Sequence, residues 1–103
     1  MTKIEIQNVG QPGKTYSVDA DKFTEMRRAV LLSLPNSPPG MTPSTLIAAV
    51  TPLLSADLFP GGKTAGWWVK AVQLDLEAKA IIKRADKAPV RLWRVWAPAP
   101  NLS

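Results

Sequence analysis

The hydropathy pattern divides the chain into a short alternating region, three stretches of helical period and a second alternating region. Lys3, Ile4, Glu5, Ile6 and Gln7 alternate polar with apolar, the period of a half-buried strand. Gly10-Gln11-Pro12-Gly13 is a turn cluster, and Lys14 to Val18 alternates again. The two runs predict an N-terminal β-hairpin with Ile4, Ile6, Tyr16 and Val18 facing inward.

Phe23, Met26, Val30 and Leu34 then recur at spacings of three and four, one face of a first helix. Asp19 or Asp21 can cap it by accepting backbone N–H bonds, and Pro35 stops it. Asn36-Ser37-Pro38-Pro39-Gly40 has no helical capacity. Thr42-Pro43 opens a second helix: a hydroxyl cap, then a proline where the missing N–H costs nothing. Its apolar side is Leu46, Ile47, Val50, Leu53 and Leu54, and Pro52 must kink it or end it near Val50. Phe59-Pro60-Gly61-Gly62 predicts a sharp turn.

The third helix is the centre of the pattern, expected from Thr64 to about Ala80. At about 100° per residue, Ala65, Val69, Val72, Leu76 and Ala80 share one stripe, with Trp68 beside it. Trp67, Ala71, Leu74 and Ala78 form a second apolar stripe. A narrow polar strip of Gly66, Lys70, Gln73 and Glu77 separates them, and Asp75 and Lys79 occupy the other gap, close enough in sequence to pair. A helix apolar on two sides must be covered on both, by the N-terminal hairpin or by another chain. Ile81-Ile82-Lys83-Arg84, a turn at Asp86–Pro89 and Val90–Trp96 predict a second, basic hairpin. Residues 1–97 are expected to form one domain, with 98–103 a flexible tail, because Ala97-Pro98-Ala99-Pro100 cannot continue a central strand.

The length, 103 residues with 46% apolar, suits a single core. The chain lacks cysteine and histidine, which removes thiolate chemistry, the usual general base and the commonest metal ligands. No carboxylate pair replaces them, since Asp75 and Glu77 point in different directions on a helix. We therefore expect no enzyme, no metal and no cofactor. Gly-Lys-Thr occurs at Gly13–Thr15 and Gly62–Thr64, but the glycine that a phosphate-binding loop needs five residues earlier is Asn8 or Asp57. The N-terminus has no apolar signal region, and no apolar run is long enough to span a bilayer, so the expected location is the cytoplasm, with no membrane partner.

Net charge is +5, and its distribution is uneven. From Lys63 to Arg94 there are eight basic residues against three acidic ones, so the excess lies in the C-terminal half. Four tryptophans, Trp67, Trp68, Trp93 and Trp96, lie on the third helix and the last strand.

The run Leu76-Glu77-Ala78-Lys79-Ala80-Ile81-Ile82-Lys83-Arg84 resembles the end of a recognition helix in the winged helix-turn-helix superfamily, with alanine at position 80 where glycine is usual. Gly66 to Ala78 is also similar to a small bacterial family of uncharacterised proteins. The resemblance and the element order imply an α+β winged-helix-like domain: N-terminal β-hairpin, three helices and a C-terminal β-hairpin wing. It implies double-stranded DNA as partner. Lys63 and Thr64 at the helix start would then hold phosphates. Lys70 and Gln73 would face base edges, and Lys83, Arg84, Lys87, Arg91 and Arg94 on the wing would hold the backbone or the minor groove. The alternative is a protein-interaction module, a homodimer foremost, using Trp67, Leu74, Trp93 and Trp96. The polar strip discriminates: exposed and continuous with the wing arginines it favours DNA, covered by another chain or by the N-terminal hairpin it favours a protein partner.

Overall fold

The computed structural model describes residues 2–95. Trp96 and the tail 98–103 lie outside the described residues. The architecture is α+β: an N-terminal antiparallel hairpin, three helices and a C-terminal antiparallel hairpin.

Strands β1 (Lys3–Gln7) and β2 (Thr15–Asp19) pair in the register Lys3 to Asp19 through Gln7 to Thr15. Ile6 and Val18 are buried as their alternation requires, but Tyr16 is 41% exposed. The inward face of the hairpin extends beyond the core at that end, so inward does not mean covered.

Helix α1 (Ala20–Ser33) starts where Asp19 Oδ1 accepts the Asp21 N–H at 2.9 Å. It ends in extended backbone at Leu34, ahead of Pro35. Helix α2 (Pro43–Val50) begins with Thr42 Oγ1 accepting the Thr45 N–H at 3.3 Å. Pro52 ends it as expected: residues Thr51–Leu53 tighten into one 3₁₀ turn. That turn leaves Leu53 exposed rather than on the apolar side assigned to it. Glu25 on α1 accepts the Ser55 N–H at 2.5 Å and holds the following loop against the first helix.

Helix α3 (Ala65–Ala78) packs on α1, α2 and β1. Val69, Val72, Leu76 and Trp68 enter the core with Phe23, Met26, Val30, Leu46 and Val50. Phe59 meets Trp68 edge-on, with ring centroids 6.3 Å apart. The helix closes in a Schellman arrangement: the Ala80 N–H donates to Glu77 O at 3.1 Å and the Ile81 N–H to Leu76 O at 2.9 Å. Ala80 takes the left-handed conformation at φ 60°, which explains why glycine suits that position.

Strands β3 (Ile82–Arg84) and β4 (Leu92–Arg94) form the second hairpin, shorter than the pattern predicted. A feature absent from the sequence reading joins it to the body. Met41, between α1 and α2, bridges Leu92 in antiparallel fashion, with N···O distances of 2.8 and 2.9 Å. Gly40 at φ +83° permits this approach, because a Cβ there would stand 2.5 Å from Leu92 O. No helix among the described residues is long and apolar enough to cross a membrane.

Candidate interaction groove on helix three

The second apolar stripe of α3 meets the N-terminal hairpin. The Val9 N–H donates to Leu74 O at 3.2 Å, and the Gln7 N–H donates to Asp75 Oδ1 at 2.8 Å. These bonds draw the hairpin onto the C-terminal part of the stripe. Toward the N-terminal part the surfaces diverge and leave a groove of about 360 Å³. Ile6, Tyr16 and Val18, with the polar Gln7, Asn8 and Ser17, form its hairpin wall, and Trp67, Lys70, Ala71 and Leu74 form its helix wall. Trp67 is 59% exposed and its ring packs edge-on against Trp68 at 5.0 Å. The Tyr16 hydroxyl donates to Gln11 Oε1, which fixes the tyrosine ring from the turn side.

The polar strip does not survive as an exposed band. Gln73, assigned to base edges, is 1% exposed and cannot face a ligand. Its Nε2 donates to Glu77 Oε2 at 2.9 Å, and Glu77 in turn accepts both Nε and Nη2 of Arg84, each at 3.0 Å. Asp75, placed by the helical period in a polar gap, is completely buried and pairs with Lys79 at 2.8 Å, the partner its spacing suggested. Lys70 alone of the strip's long polar side chains stays exposed, and it stands in the groove.

The cations assigned to the C-terminal hairpin divide in the same way. Arg84 is clamped on Glu77, and this bidentate bond raises the guanidinium above its ordinary pKa. Arg94 Nε donates to Leu34 O at 3.1 Å. Arg91 is half-buried in a second cavity of about 470 Å³ beside Gly40, Thr42 and Thr45. Lys83 and Lys87 are exposed on the hairpin, and Lys63 and Thr64 are exposed ahead of α3. Thr64 occupies the cap position at φ 64° and its side chain makes no capping bond. Of the residues assigned to an interface, Trp67 and Leu74 share the groove, Trp93 is half-buried on β4, and Trp96 lies outside the described residues.

Tyr16 belongs to this site although its alternation assigned it to the core. Groups of three or more metal-ligating side chains are absent among the described residues.

The model of a protein family of unknown function, DUF6958, matches residues 3–92, which include the first hairpin, all three helices and β3 and end at the first residue of β4. The chain belongs to that family. No curated protein and no solved structure matches it. Membership carries no activity, so the geometry of the groove is the basis for a functional reading.

Proposed function

We propose that this chain is a non-enzymatic protein-interaction module that binds its partner in the groove between the N-terminal hairpin and α3. The observation that carries the reading is Trp67. A tryptophan 59% exposed beside an exposed tyrosine, on a largely apolar concavity, has the makings of a binding hot spot. The burial of Gln73 points the same way, because it takes from the helix one of the two side chains a base-reading role needs. Selection of a random peptide library on the immobilised chain tests the proposal. Wild type is expected to enrich binders and Trp67→Glu to lose them while melting at nearly the same temperature. Absence of enrichment on wild type overturns the reading.

A winged-helix DNA-binding role is the second reading, and one observation favours it. The Met41–Leu92 bridge adds a third strand segment, placed in sequence between α1 and α2, to the C-terminal hairpin. That gives the hairpin the attachment expected of a wing. Exposed Lys83 and Lys87 supply its positive charge, and exposed Lys63 adds one ahead of α3. Titration against duplex DNA at low and moderate salt decides it, since phosphate contacts show first at low salt. No binding there removes this reading.

A further inference from the structure

We infer that the groove takes an acidic peptide segment carrying one large apolar side chain; this rests on the interaction reading above. The chemistry of the groove's walls selects that occupant. Lys70 is the only charged residue among those lining it. The ion pairs among the described residues are Lys79–Asp75 and Arg84–Glu77, so the Lys70 ammonium meets no carboxylate. Gln7, Asn8 and Ser17 add uncharged polar edges on the hairpin side, and the remaining lining residues are apolar or aromatic. An apolar side chain seats between Tyr16 and Trp67, and an Asp or Glu carboxylate of the same segment reaches the Lys70 ammonium.

Charge disfavours the rival occupants. A second copy of this chain brings another net +5, and in a two-fold interface centred on the groove Lys70 faces its own equivalent across the axis. A nucleic acid brings a phosphate at every nucleotide, whereas the groove offers a single ammonium among uncharged, largely apolar walls.

The peptide selection, run in parallel on wild type and on Lys70→Glu, tests the inference. Lys70 is exposed, so the variant is expected to melt with wild type. Wild type should enrich sequences that pair Asp or Glu with a large apolar residue, and Lys70→Glu should enrich Lys or Arg in place of the acid. A synthetic peptide of the enriched sequence should lose about fivefold in affinity when its carboxylate becomes the amide, and less at high salt. Enrichment of apolar peptides without acidic residues overturns the inference and leaves the interaction reading standing. So does an identical selection by Lys70→Glu. Sedimentation showing a wild-type dimer that Trp67→Glu dissociates assigns the groove to a second copy and also overturns it. Displacement of the peptide by oligo(dT) at equal concentration overturns it in favour of a nucleic acid. No enrichment on wild type defeats the interaction reading itself.

Discussion

The buried carboxylate of Asp75 accepts the backbone N–H of Gln7 at 2.8 Å, across 68 residues of chain. One side chain thereby fastens the N-terminal strand to the central helix and sets the floor of the groove. Its second oxygen holds Lys79, whose ammonium also sits 6.0 Å from the centre of the Phe23 ring.

Asp75→Ala removes an acceptor from the Gln7 N–H and a partner from Lys79. Hydrogen bonds to a charged group contribute about 1.5–3 kcal/mol, and Lys79 adds little because its side chain is 37% exposed. A loss of about 2–3 kcal/mol is expected. Asp75→Asn keeps an oxygen for Gln7 and should lose only about 1 kcal/mol. Denaturant unfolding measures the order, and hydrogen exchange should show the Gln7 and Val9 amides opening first in the alanine variant. Equal stability of Asp75→Ala and wild type would show that the hairpin docks without this carboxylate.

Gly40 is the position where the backbone of the loop meets the backbone of β4. Gly40→Ala puts a Cβ 2.5 Å from Leu92 O on a residue already at φ +83°, and neither backbone can yield without breaking the Met41 bridge. The expected cost is about 3 kcal/mol or more. Gly13 has a similar φ of +87° but open space around it, so Gly13→Ala should cost only the left-handed conformation, about 1–2 kcal/mol. Melting of the two variants side by side separates steric contact from backbone preference.

Ala80 carries the opposite expectation. It holds a left-handed conformation at the end of α3, where glycine has no Cβ penalty. Ala80→Gly should stabilise the fold by about 0.5–1 kcal/mol, the residual gain after glycine's greater freedom in the unfolded chain. A lower melting temperature would contradict the assignment of strain to this residue.

Gln73 has one satisfied and one orphaned end: Nε2 bonds Glu77, while Oε1 is buried without a partner. Gln73→Met removes both at similar volume and should leave stability within about 1 kcal/mol of wild type. Glu77→Ala instead strands the buried amide and frees Arg84, and should cost about 1–3 kcal/mol. If the methionine variant proves the less stable of the two, the orphaned oxygen is not a cost.

Much of the fold was legible from local physics. Apolar spacing and breakers place both hairpins and all three helices. Asp19 and Thr42-Pro43 mark helix starts, and Pro52 marks an end, because a cap or a missing N–H acts within one turn. The pairing of Asp75 with Lys79 is equally local, four residues along one helix.

Only the tertiary structure decided which polar residues face water. On the helical wheel Gln73 looks like Lys70, yet one is buried and the other exposed, because Arg84 and Glu77 close over the first and the hairpin stops short of the second. Tyr16 alternates like Val18, yet it overhangs the core instead of entering it. The Met41–Leu92 bridge has no signature of its own, since a single residue pair leaves no period to read. Period and breakers act over a few residues and so are written along the chain. Burial at the groove is set by where two distant segments diverge, and that is a property of the packed molecule alone.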